Sequence, residues 1–236
     1  MASVLVVLAL TRRWGLRLPW WLPVLPAAVA TGAVAPIALG LPVGALLQLV
    51  VHGDVRTGGE GSLLPAVFAV VYGGFAAFGV GLAVLFVDYV HRRWPVLLRQ
   101  GPPAPPVRTL RLLAIAGMAP LAAATTFWAL APAEHGLRGW ESIAQRTALL
   151  GVAVLTVVGC AALLARTSSG PRLRWALGWV GCCTAAVQGP TMLLLSPDGD
   201  VNPVMLAVVV VATPVAAWLG LSAVARFAAR RRTAAA

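Results

Sequence analysis

Uncharged runs long enough to cross a bilayer recur down this chain, separated by short polar stretches. The first long one, Leu18 to Val51, has no charged residue for 34 positions and is punctuated by Pro19, Pro23, Pro26, Pro36 and Pro42. A hydrocarbon core of about 30 Å needs about 20 helical residues. The run therefore divides into a span at about Trp20–Leu41 and a second apolar piece, Pro42–Val51, that packs along the outer surface or dips back in. Its internal prolines predict a kinked helix. Five further spans follow, at about Leu63–Val87, Arg111–Ala131, Thr147–Ala165, Trp175–Leu195 and Val204–Ala225. Ahead of them Ala2–Leu10 is apolar over only about 14 Å of helix. No basic region precedes it and no small-residue cleavage site follows, so it does not read as a signal peptide. It reads as half of a span that starts upstream of Met1, or as a short helix lying against the bundle. The expected fold is all-α, a polytopic transmembrane helical bundle with six spans plus a short N-terminal hydrophobic helix. Residues 1–236 form a single integral membrane domain.

The polar stretches are short and rich in Gly, Pro, Asp and Arg, as turns at a membrane surface are. Gln100–Val107, QGPPAPPV, is the one long linker and reads as a semi-rigid extended strap. Small residues recur every four positions at Gly73, Ala77 and Gly81, and again at Gly181, Ala185 and Gly189. Such ridges let helix backbones approach closely, which places both helices at the tight centre of the bundle.

Composition agrees with the pattern. The chain is 60% hydrophobic and 11% charged, against about 25% charged in a soluble domain. Its basic residues are all arginine, consistent with a GC-rich coding sequence, and their placement alternates. Segments 12–17, 92–111, 166–174 and 226–232 hold 3, 5, 3 and 4 arginines, 15 of the 18. The intervening loops hold Arg56, Arg138 and Arg146, together with Asp54, Glu60, Glu134, Glu141, Asp198 and Asp200. Arginine-rich short loops face the cytoplasm, so the reading is a multi-pass protein of the cytoplasmic membrane with its C-terminus inside. The net charge of +11 then reflects orientation. Nucleic acid is not the expected partner, because the arginines are spread over four loops. Trp20, Trp21, Trp94 and Trp175 sit at the basic boundary, and Trp128 and Trp140 at or near the acidic one, matching interfacial belts. Trp179 and Trp218 lie deeper.

Three groups carry candidate chemistry. On the acidic, outer face, His52, Asp54 and Glu60 share one loop, Glu134, His135 and Glu141 the next, and Asp198, Asp200 and Asn202 the third. Glu134, Glu141, Asp198 and Asp200 are candidate catalytic acids and bases. His52, Asp54 and His135 are candidate ligands for a divalent metal. A merely solvated face explains the same residues, since loops poor in arginine become acidic by default. The second group is Asp88, Tyr89 and His91 at the end of a span. Asp88 lies three residues from His91 and four from Arg92, on one helical face, which favours a local ion pair over a proton relay or substrate binding. The third is Gln188-Gly189-Pro190-Thr191, either a broken helix of the kind transporters use or an ordinary proline kink. Cys160, Cys182 and Cys183 lie in apolar runs without metal or redox spacing and read as packing residues. Nucleotide-binding, nucleophile-elbow, zinc-protease and haem patterns are absent from the sequence, so no cofactor is implied.

Residues Arg12–Gly32, RRWGLRLPWWLPVLPAAVATG, contain W-G-x-x-x-P-x-W-L followed by a Pro/Ala/Gly-rich span. The segment resembles one found in uncharacterised multi-spanning membrane proteins of GC-rich bacteria, in which a complete span precedes the Trp-Gly pair. The resemblance implies the same polytopic architecture and carries no activity. The leading functional expectation is a non-enzymatic accessory or partner-binding membrane subunit, whose partners are the lipid bilayer and another membrane protein. The rivals are a membrane-embedded enzyme acting on a lipid or isoprenoid at the outer face, and a small-solute permease.

Overall fold

The computed structural model describes residues 2–52, 65–96, 99, 102, 108–131, 143–165, 170–195 and 203–235. Every regular element among them is helical. In order these are α1 (Ala2–Thr11), a 3-10 turn (Arg13–Arg17), α2 (Trp21–His52), α3 (Pro65–Arg93), α4 (Arg108–Leu130), α5 (Ile143–Leu164), α6 (Pro171–Leu195) and α7 (Pro203–Ala235). Proline opens α3, α6 and α7, where its missing N–H leaves no intrahelical bond unmade and its fixed φ suits the first turn. Gly170, in the left-handed region at φ 61°, turns the chain into α6.

Among the described residues four helices are long and apolar enough to cross a membrane: α2, α4, α5 and α7. That is two fewer than the six expected from the sequence. The bundle also shows what a lipid-facing surface requires. Leu25, Val29, Leu46, Leu112, Phe127, Val154 and Val210 are all exposed, an amount of apolar surface that a water-soluble monomer does not leave uncovered.

Residues 21–52 form one helix, not a span plus a separate piece from Pro42. Pro26, Pro36 and Pro42 all lie within it. A proline inside a membrane helix is tolerated where neighbouring helices support it, and α5 packs along α2 here. The Thr147 hydroxyl donates to the Gly40 carbonyl at 2.7 Å, and the α5 backbone at Gly151 packs against Pro36. At 1.5 Å per residue, 32 residues span about 48 Å, more than the bilayer core, so α2 must tilt or protrude.

The centre of the bundle is α2, α5 and α6, each packed on the other two, with α4 and α7 closing the far side. One of the two anticipated small-residue ridges belongs there. A Cβ at Gly181 would stand 2.3 Å from the Leu155 carbonyl oxygen and 2.6 Å from Cα of Gly159. Ala185 is fully buried. The other ridge does not: nothing lies within 4 Å of a Cβ placed at Gly73 or Gly81, and Ala77 is exposed. Leu82, Phe86 and Tyr89 are the buried side of α3. At 3.6 residues per turn the Gly73/Ala77/Gly81 ridge falls on the opposite side. Its place in the centre is taken by Gly32, Pro36 and Gly40 of α2, which meet Cys183 on α6 and Gly151 and Ala148 on α5.

Two of the expected interfacial tryptophans are core residues instead. Trp128 and Trp175 are buried in the main cluster with Leu121, Leu149, Leu163, Met205 and Leu219. A second cluster, Leu10, Ala27, Leu82, Phe86 and Tyr89, joins α1, α2 and α3. Val90 and Trp94 pack against both clusters and tie them together. Trp179 stacks on Phe86 at 4.8 Å between ring centroids and donates its indole N–H to Thr31.

Candidate functional site

The densest polar construction among the described residues is built on the last turn of α3. Asp88 and Arg92, four residues apart, share a face, and so do Tyr89 and Arg93. The Asp88 carboxylate lies 2.6 Å from Arg92, the local ion pair that the spacing favours. Both side chains are substantially exposed, so the pair contributes only about 0–1 kcal/mol. His91 turns away from Asp88, and its Nδ1 sits 2.9 Å from the Val87 carbonyl oxygen of its own helix.

Arg92 and Arg93 then reach across more than 70 residues of sequence to bind the N-terminal segment through its backbone. Arg92 donates to the carbonyls of Leu10 at 2.9 Å and Thr11 at 3.3 Å. These are terminal α1 carbonyls, which have no partner within their own helix and sit at the negative end of its dipole. Arg93 donates to the carbonyls of Gly15, Leu16 and Leu18 at 3.3, 2.8 and 2.8 Å, and to the Tyr89 hydroxyl at 2.8 Å. Its guanidinium also sits 5.8 Å from the Tyr89 ring centroid and 5.5 Å from that of Trp94. A rigid planar fork with five N–H groups suits this task better than an ammonium would. Burial pushes the Tyr89 phenol above its ordinary value, with the Arg93 guanidinium opposing that shift. The phenol stays protonated.

The turn that Arg93 holds is pressed onto α1. A Cβ at Gly15 would fall within 3.1 Å of three backbone atoms of Ala9, so only glycine fits. Arg174 repeats the device at the start of α6. It donates to the carbonyls of Ala162 and Ala165 at the end of α5, and to that of Pro102 in the strap. Three arginines of the basic face therefore act as caps for backbone carbonyls.

The interior offers a second polar group. From the Gly159–Gly181 contact, three residues back along α5 and three forward along antiparallel α6 bring Thr156 and Thr184 to one level. Both are buried, and neither hydroxyl has a hydrogen-bond partner. Gln188 is buried one turn further along α6. The helix passes Pro190 without a break, and the Thr191 hydroxyl bonds back to Val187 at 2.8 Å. Hydroxyls and an amide bind polar groups but supply no acid or base near neutral pH.

The sequence-based catalytic and metal candidates fall elsewhere. Asp54, Glu60, Glu134, His135, Glu141, Asp198, Asp200 and Asn202 lie outside the described residues, as does the side chain of His52. Among the described residues no group of three or more His, Cys, Asp or Glu is placed to hold a metal ion. Cys160, Cys182 and Cys183 are free and buried, as packing residues are. An open apolar groove of about 380 Å³, lined by Ala123, Ala124, Phe127, Trp128 and Val204, carries no ionisable group.

Backbone carbonyls, the partners of Arg92, Arg93 and Arg174, leave no trace in a sequence. Gly15 was the available signal, a lone glycine between an arginine pair and a proline-tryptophan boundary.

The architecture and these sites define an all-helical membrane protein. No protein-family model, curated protein or solved structure matches the chain.

Proposed function

We propose that this chain is a non-enzymatic membrane subunit that binds another membrane protein through α3. The supporting observation is the outward ridge of Gly73, Ala77 and Gly81, which meets nothing among the described residues. A four-residue repeat of small residues on an exposed face is a surface on which a second transmembrane helix can lie at close range. The helix is held from the opposite side by Leu82, Phe86 and Tyr89, so the ridge is presented on a fixed support.

A photo-crosslinking amino acid at position 77 should give one discrete protein adduct in native membranes. The same group at exposed Val210 on α7 should give none. Gly73→Leu with Gly81→Leu should abolish the adduct. Lipid adducts alone at position 77 would reject this function, and an adduct of twice the chain's mass would make the partner a second copy.

We further infer six spans in the cytoplasmic membrane with the C-terminus inside. At 1.5 Å per residue, α3 with 29 residues and α6 with 25 measure about 44 and 38 Å, each longer than a bilayer core. The lower apolarity of α6 suits a helix packed on α2, α5 and α7, which leaves less of its surface to lipid. A green fluorescent protein fused after Ala236 should fluoresce, and alkaline phosphatase fused there should be inactive. The reverse pattern would invert the topology.

A further inference from the structure

We infer that the 3-10 turn Arg13–Arg17 and its flanks form a binding site for the headgroup of an anionic phospholipid. The inference does not depend on what packs against α3. The guanidinium groups of Arg12, Arg13 and Arg17 are exposed and make no hydrogen bond or ion pair among the described residues. The carbonyls of Leu10, Thr11, Gly15, Leu16 and Leu18 in the same segment accept from Arg92 and Arg93 instead. Three guanidiniums are thus concentrated within six residues on a turn that leaves them unpaired among the described residues, and the turn itself is fixed by Arg93 and by Gly15 against α1. A phosphodiester matches the donor fork of arginine.

The aromatic surroundings select a lipid over a free phosphate. Trp14, Trp20 and Trp21 are each nearly half exposed, and Leu22 and Leu25 continue the apolar surface into α2. Side chains at i and i+3 of a 3-10 helix eclipse, so Trp14 and Arg17 stand together. An indole at the glycerol level beside a guanidinium at the phosphate level is the arrangement an interfacial lipid meets. Among the described residues Arg99, Arg108 and Arg172 are also exposed, but none has an exposed tryptophan within its own turn, since Trp175 beside Arg172 is buried.

The test uses the full chain in a neutral detergent and fluorescent phosphatidylglycerol or phosphatidylcholine. Phosphatidylglycerol should bind more tightly than phosphatidylcholine. An arginine near an anionic headgroup is worth about fivefold in affinity, so the R12Q/R13Q/R17Q chain should lose between about tenfold and a hundredfold. The R99Q/R108Q/R172Q chain removes the same charge and should change little. Equal loss in both chains would overturn the site in favour of a diffuse field, and equal binding of the two lipids would overturn it outright. Inorganic phosphate competing as well as phosphatidylglycerol would make it an anion site and not a lipid site. If the triple variant unfolds, W14A/R17Q, which alters only two exposed side chains, should show the same preferential loss. Unchanged affinity there rejects the proposal.

Discussion

Gly181→Ala is expected to lower the unfolding temperature of the detergent-solubilised protein by about 5–10 °C, while Gly73→Ala leaves it unchanged or slightly higher. A methyl group at position 181 would meet the Leu155 carbonyl and the Gly159 backbone, not the yielding end of a side chain. To admit it, α5 and α6 must part along their whole seam, and overpacking of this kind costs about 1–3 kcal/mol or more. In a domain of this size each kcal/mol moves the melting temperature by about 2–4 °C. At Gly73 the same methyl enters open space and gains about 0.8–1 kcal/mol of helix propensity. Gly159→Ala combined with Gly181→Ala should cost less than the sum of the two, because the first has already separated the helices. The buried thiols of Cys160, Cys182 and Cys183 supply the measurement, since they react with a maleimide only as the bundle opens. Equal melting of the Gly73 and Gly181 variants would show that the seam is not a tight contact.

Arg93→Ala is expected to release the N-terminal segment while leaving the main bundle folded. Three carbonyls and the Tyr89 hydroxyl lose their donor at once. Hydrogen bonds to a charged group are worth about 1.5–3 kcal/mol each where buried. Arg93 is only partly buried and water replaces part of what is lost, so a total of about 2–4 kcal/mol is expected. Because α1 packs chiefly on the 3-10 turn, α2 and α3, the loss stays local. Hydrogen exchange should rise across residues 9–18 and stay unchanged in α4 to α7. Lys at 93 reaches fewer of these acceptors than the planar fork and should restore only part of the protection. Exchange that rises uniformly would mean that Arg93 supports the whole fold.

Some of this was legible in the sequence and some was not, for separable reasons. Helices were legible because a bilayer forces long uncharged runs, and each anticipated span coincides with a helix to within a few residues at most ends. Pro42 misled because proline is weighed as a breaker, whereas a helix supported by α5 on one side carries it. The Asp88–Arg92 pair could be read from i,i+4 spacing alone. Small-residue ridges showed where close approach is possible but not between which helices. Gly73 and Gly181 look alike in sequence, and only the packed structure separates a seam from an exposed face. Trp128 and Trp175 were drawn to the interface by their place near span ends, yet they face inward onto α4–α7 packing. The acids expected on the outer face, Glu134, Glu141, Asp198 and Asp200, and the ligand candidates Asp54 and His135 lie outside the described residues. The basic face carries the construction that can be described.

The arginine clamp also sets an order of assembly. The carbonyls of residues 10–18 leave the ribosome some 75 residues before the side chain that satisfies them. Until Arg93 emerges, the carbonyls of Gly15, Leu16 and Leu18 lack the donor that holds them. The clamp between this segment and α3 therefore closes only once α3 is complete. Residues 10–18 are thus held by a partner made well after them.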